Sequence, residues 1–464
     1  MTQLKPAEEM PGSFGLPILG ETLRLFATQG WGLTKNYQRY GPVFKTSILG
    51  KKYAVLVGVE ANRLILQEKA DHVSSYLGWK VAMEHIFGQP MMLQDGEEHR
   101  RTRRLMAPAF HSKAIANYFD VMQTEVNKCL ENWVQGSPIS IKNEFNQLAL
   151  RIGIRLLLGV QIQSEVEQVE QLYNTLTQGA LALLRLDIPF TKYGRSQNAR
   201  RQLKAFLQKI ISERKLQGNL EESCDVLGLF LAAVDQEGNA LAQSQIVDEL
   251  IHLLNAAHFT TATSLTWAMV ELVARPQWRE KLRQELTEVV GDEPLNLGHL
   301  KQLNQMTYFF KEIERLYNPA GVVLFRGVVK EIEYAGYRIP PGWVVIVAQG
   351  LTHRMSEIYT NPESFDPERF APPREEDKKD SFALIGFGGG EHICIGIEFA
   401  KMEMKIFLAI LLQRYDWKVT PEYEPNNYYQ PPFQVEGKLQ AQVTSLCSEF
   451  KIQNSKFKIN NPDK

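Results

Sequence analysis

The chain has 464 residues, 44% of them hydrophobic and 23% charged, the proportions of a globular protein with a large core. Its 52 Lys and Arg balance 53 Asp and Glu to a net charge of -1, which excludes a global attraction to nucleic acid or to an anionic membrane and leaves only local electrostatic docking. Cys129, Cys224, Cys394 and Cys447 lie too far apart to resemble a disulfide framework, so a reducing cytoplasm is the expected compartment.

In chain order, Met1 to Met10 contain no apolar stretch of signal or anchor length, and a chain without a transmembrane anchor is expected. A Pro/Gly-rich lead-in runs from Pro11 to Gly20. Strand-like runs at 43–48 and 53–57, separated by Gly50 and two lysines, predict an N-terminal β-hairpin. Beyond residue 95 helical periodicity dominates, with amphipathic stretches near 97–133, 143–158, 196–217, 243–275, 277–290, 305–317 and 395–414. A strand-rich patch at 328–349 turns on Pro340-Pro341-Gly342, and 432–446 reads as a last hairpin before a polar, loosely held tail from Ser448. Length alone suggests about three domains. No repeat or linker divides the chain, however, and the expectation is one unit over 1–464, mainly α with a smaller β-rich region.

The most informative stretch is Phe387-Gly-Gly-Gly390-Glu-His392-Ile-Cys394-Ile-Gly396. A thiolate that binds haem iron needs a loop flat enough to lie along the porphyrin, which glycines permit. The periodicity after it puts Cys394 at a helix N-terminus, whose dipole is expected to keep the sulfur ionised. The glycines do not make G-x-G-x-x-G, since Glu391 holds the last position, and His392 with Cys394 lacks the two further ligands of a zinc site. A buried free cysteine in a glycine turn is the plain alternative.

The spacing of Phe387, Gly390, Cys394 and Gly396 resembles the haem-thiolate signature of the cytochrome P450 monooxygenases. The resemblance runs from about Pro11 to Cys447 and implies the P450 fold, with haem b between a long central helix and the cysteine loop. It makes Cys394 the iron ligand, packs Phe387 near the sulfur and lets His392, Arg in many members, reach a haem propionate. Glu312 and Arg315 stand at i and i+3, so they share a helix face. They match the family's E-x-x-R, which with Arg369 downstream implies a buried network holding the thiolate loop; alone, such a pair is equally a solvated surface contact. His99 and Arg103, at i and i+4, and Arg326 match propionate-binding positions, though each could also be a solvated basic residue. Arg100, Arg101 and Arg104 lie on other faces and are either solvated or available to an acidic electron donor.

Ala256-Ala257-His258-Phe259-Thr260-Thr261 falls where the family has [A/G]-G-x-[D/E]-T-[T/S]. The resemblance makes Ala256, Phe259 and Thr260 the catalytic positions, with Ala256 and Thr260 one turn apart over the haem and the hydroxyl hydrogen-bonding dioxygen. Phe259 replaces the family's acid and Ala257 its glycine, which puts an acid–alcohol proton relay in question. His258 lies about 200° around the helix from Thr260 and is expected to pack away from the iron. Regions that contact substrate in the family correspond to Trp79, Phe87, Met91 and Met92 before the His99 helix. Val322 and Val323 follow Arg315, and Pro432 and Phe433 lie in the last hairpin. This lining is apolar, though such residues are as often core.

The resemblance therefore implies a monooxygenase that hydroxylates a lipophilic substrate, a retinoid, another isoprenoid or a fatty acid. Its His258 motif and Phe325-Arg326 segment look most similar to the cyanobacterial and animal retinoic-acid hydroxylase branch, from which Phe259 and Asn318 depart. No flavin or nicotinamide motif follows Cys394, so two electrons are expected from a ferredoxin or flavoprotein. The chain is expected to be a monomer. The alternatives are a peroxide-using or rearranging haem-thiolate enzyme and a non-catalytic haem-binding sensor.

Overall fold

The structure is a computed structural model that describes residues 4–27, 31–136, 138–179, 182, 185–218, 223–319, 324–420 and 439–446. The helix Gln243–Ala274 is its axis. Its sequence is apolar on every face rather than along one stripe, and such a helix is stable only when surrounded. Neighbouring helices Ile141–Leu157 and Ile397–Arg414 pack against it, and most of its residues from Thr261 to Leu272 are buried. Among the described residues no helix is long and apolar enough to cross a membrane.

The β-rich part is smaller. A five-stranded sheet has the order Val43–Ile48, Lys51–Leu56, Val344–Val347, Leu324–Val328, Val73–Ser74. The N-terminal hairpin pairs Val43 with Leu56, and its second strand runs parallel to the fully buried Val344–Val347. Arg326 is opposite Val345, so the sheet register sets the direction of its side chain.

Four departures from the sequence reading have physical causes. The stretch 97–133 is two helices, Gly96–Met106 and Ser112–Gln135, joined by a tight turn over Ala107–Phe110, because Pro108 has no amide hydrogen to continue the ladder. Trp79 and Phe87 lie on a helix, Ser75–Phe87, where a loop was expected. Ser74 caps it by accepting from Leu77 N–H at 2.9 Å, and Gly88 ends it at φ 79°. Gln163–Gln178 is a further helix. Gln440–Ser445 pairs antiparallel with Tyr415–Thr420, and the first half of the hairpin expected at 432–446 lies outside the described residues.

Candidate active site

The cysteine loop is closed by its own backbone: Cys394 N–H donates to the Phe387 carbonyl at 2.9 Å. Gly390 is required there. It sits at φ 65°, and a Cβ on it would lie 1.8 Å from the Leu66 carbonyl oxygen. Phe387 is half-buried, while Cys394 keeps exposed surface. Burial nevertheless pushes the Cys394 thiol up, against the weaker pull of Gly396 N–H and Arg103, with Glu314 adding to the rise. The sulfur is thus packed behind and open in front. The helix begins only at Ile397, so the sulfur lies before its first turn, and burial opposes the ionised form that the sequence suggests. Deprotonation is left to a metal, which ionises a coordinating thiol outright.

Behind the loop lies a polar lattice. Arg315 grips Glu312 with two bonds, Nε to Oε2 at 2.7 Å and Nη2 to Oε1 at 2.8 Å, and both side chains are fully buried. Arg369, also fully buried, reaches Glu312 Oε2 at 3.2 Å and Glu376 Oε2 at 2.8 Å. The remaining guanidinium hydrogens go to the carbonyls of His353, Pro362, Ser364 and Thr360, so two acids and two arginines are compensated inside the protein. Two residues that the sequence reading did not single out carry this lattice to the cysteine loop. Ile385 N–H donates to His353 Nε2 at 3.0 Å, and Gly386 N–H to Glu314 Oε1 at 3.0 Å. Burial lowers His353 to about 3, which keeps it neutral and able to accept. Glu314 shares the E-I-E-R run with Glu312, but no spacing rule points to His353.

Beside the cysteine four basic side chains converge. His99 is 1% exposed, stacks on His392 at 3.8 Å, and leaves its Nδ1 without a partner. Arg103 donates to the Ile393 carbonyl at 2.7 Å, and among the described residues Arg326 has only the Phe325 carbonyl at 2.9 Å. Burial drives Arg326 down to about 10, and burial with the charges of Arg326, His99 and Arg103 drives His392 to about 2. Nearby carboxylates are engaged elsewhere, Asp95 with Ser74 and Ser75 and Glu391 with Arg100. The cluster calls for an anion that the described residues do not supply. Arg101 is tied to Asp235 at 2.7 Å and Arg104 to Glu97 at 2.9 Å, both by side-chain pairs.

On the central helix, Ala256 is exposed and Thr260 half-exposed in the middle of an otherwise buried element. Such exposure on an enclosed helix marks interior space. Thr260 Oγ1 donates to the Ala256 carbonyl at 2.6 Å, leaving its oxygen free to accept. Phe259 is half-buried, and His258 packs edge-on against Tyr173 at 5.4 Å. Trp79 meets Phe325 edge-on at 5.0 Å, and Phe87 is buried against His252 of the central helix at 5.6 Å. Met91 is buried and Met92 half-buried on the next turn. Val322, Val323, Pro432 and Phe433 lie outside the described residues.

The cytochrome P450 family profile matches residues 10–443. The chain belongs to the cytochrome P450 family. This P450 is 32% identical to cytochrome P450 26A1 of Xenopus laevis over 88% of its own length and 85% of the relative's. It is 31% identical to abscisic acid 8'-hydroxylase 2 of Arabidopsis thaliana, covering 94% and 90%. The solved structure titled retinoic acid bound cyanobacterial CYP120A1 superimposes with a TM-score of 0.85 at 30% identity, over 96% of this chain and all of that one. The protein is therefore a haem b monooxygenase of mainly α architecture. The residues present fit that group: a thiol with one open face, a glycine loop, and the Arg103 and Arg326 guanidinium groups, bonded to backbone carbonyls and to no carboxylate among the described residues, suited to the two propionates.

Proposed function

We propose that this P450 hydroxylates a lipophilic substrate of the retinoid class, or a related isoprenoid or fatty acid, using O2 and two electrons from a ferredoxin or flavoprotein. Cys394 is the iron ligand, and Glu312, Arg315 and Arg369 hold its loop through His353 and Glu314. Cys129 and Cys394, both free, suit a chain working as a monomer in a reducing cytoplasm. The observation that carries this reading is the cluster of His99, Arg103, Arg326 and His392 beside an accessible thiol, whose two guanidinium groups suit the charge of haem propionates. Relatives whose names specify retinoic acid and abscisic acid support an isoprenoid acid or alcohol as the substrate class.

Haem held by the Cys394 thiolate would supply the chemistry that activates O2 and transfers one oxygen atom to a C–H bond. The residues do the rest. Trp79, Phe87, Met91 and Met92 exclude water and hold the hydrocarbon. Thr260 offers its oxygen lone pairs to a water or to the substrate side of the site, and proton delivery runs through it without the family's carboxylate. The other oxygen atom leaves as water, taking two protons and two electrons.

The test is optical. Reduced protein with carbon monoxide should show the absorption of thiolate ligation, and Cys394→His should abolish it while haem stays bound. Retinoic acid or abscisic acid should shift the haem spin state on titration and give a hydroxylated product with a ferredoxin system. Peroxide driving turnover far better than O2 with any donor would replace this reading with a peroxygenase, which Phe259 in the acid's position favours.

A further inference from the structure

His252, Ala256 and Thr260 recur at i, i+4 and i+8, so they form one stripe along the central helix. All three keep exposed surface, although Ile251, Leu253, Leu254 and Thr261 beside them are buried. His252 is deep all the same, since burial lowers its imidazole to about 4, and no charge or hydrogen bond acts on it. A ring that is both deep and accessible lines interior space. Phe87 fixes it edge-on at 5.6 Å and 76°, leaving the polar ring nitrogens without a protein partner among the described residues. The ring keeps access to that interior space, so a molecule entering it can supply the partner that the chain does not among the described residues.

We propose that His252 is a specificity-determining residue that hydrogen-bonds an uncharged oxygen, hydroxyl or carbonyl, at the end of the substrate remote from the oxidised carbon. The proposal rests on the reading of this space as a lipophilic substrate pocket. Eight residues separate His252 from Thr260, which at the helical rise sets the two ends of the substrate about 12 Å apart. The surroundings disfavour an anion. Glu249, one turn earlier, accepts from Met91 N–H at 2.6 Å, and the nearby cations Arg200 and Lys204 are engaged by Asp248 at 3.7 and 2.6 Å. A carboxylate placed there would be desolvated without a free cation to pair with.

The experiment compares three probes on haem-loaded protein: retinol, its deoxy hydrocarbon axerophtene, and retinoic acid. Binding is followed by optical titration and by quenching of tryptophan fluorescence. The parent should bind retinol at least as tightly as axerophtene, because an unpaired buried hydroxyl would weaken it. His252→Phe keeps a ring against Phe87 and should weaken retinol about three- to tenfold, the worth of one neutral hydrogen bond, with axerophtene unchanged. His252→Gln, which can still donate, should stay within about twofold of the parent for retinol. Equal losses for retinol and axerophtene would make His252 a packing residue and overturn the proposal, as would retinoic acid binding more tightly than retinol through His252. If the parent binds all three and neither substitution discriminates, His252 falls and the pocket stands. If the parent binds none, the pocket reading fails and takes the proposal with it.

Discussion

The two sides of the site are built from opposite materials. Behind Cys394 the chain buries two carboxylates and two guanidinium groups and satisfies them with one another and with backbone carbonyls. The central helix carries Ala256, Phe259 and Thr260, the positions that the family reading sets over the haem, whose one polar side chain bonds within its own helix. A bonded lattice has one low-energy arrangement, whereas an apolar wall tolerates repacking by changes of side chain. The ligand loop is thereby fixed by directional bonds, and the substrate wall remains free to vary.

The largest expected effect is on the lattice. Glu312→Ala leaves the buried Arg315 without a carboxylate and Arg369 with Glu376 alone, and should cost about 3–5 kcal/mol, read as a lower denaturant midpoint and loss of haem. Stable, haem-loaded protein would erase the contrast between the two sides. Next is His353→Ala, which removes the acceptor of Ile385 N–H and should cost about 1–3 kcal/mol while weakening haem retention. An effect on stability without one on haem would mean that His353 does not transmit the lattice to the loop.

Glu403 sharpens the comparison, since it is a buried carboxyl with neither oxygen partnered among the described residues, unlike Glu312. Burial raises its pKa well above the ordinary value, so the native state holds a proton that the unfolded chain releases above about pH 4. The native state then binds more protons, and stability falls as pH rises from there. Glu403→Met should raise the neutral-pH midpoint by about 1–3 kcal/mol and flatten that slope; an unchanged slope would assign the carboxyl a partner. The smallest effect belongs to the apolar wall. Without the acid, electrons should leak to peroxide; Phe259→Glu should raise product formed per reductant consumed, Thr260→Ala should lower it, and added hydrogen peroxide should narrow the difference. Tight coupling in the parent that Phe259→Glu weakens would show that protons arrive by another route.

The legible parts of the molecule are those written in local patterns. The hairpin at Val43–Ile48 and Lys51–Leu56 is announced by alternation around Gly50, and Gln243–Ala274 by a long apolar run. Ser75–Phe87 escaped because its apolar residues spread around the helix instead of forming a stripe, and it is held by packing on the sheet, where Gly78 admits the Phe325 carbonyl. Glu312 and Arg315 stand out because charges sit on an otherwise apolar helix face. His353 does not, because its role exists only through Ile385, 32 residues away in sequence. His252 carried a readable spacing, but its meaning depends on Phe87 and on the interior space, which only the fold supplies.

The convergence of His99, Arg103, Arg326 and His392 also bears on how the protein is obtained. A group that binds only the folded chain stabilises it in proportion to the logarithm of its free concentration over its dissociation constant. Until the propionates arrive, the chain keeps like charges and an unpaired imidazole in its interior. Haem supply in the producing cell therefore acts as a folding reagent, and the yield of intact protein should follow haem biosynthesis more closely than it follows the level of transcript.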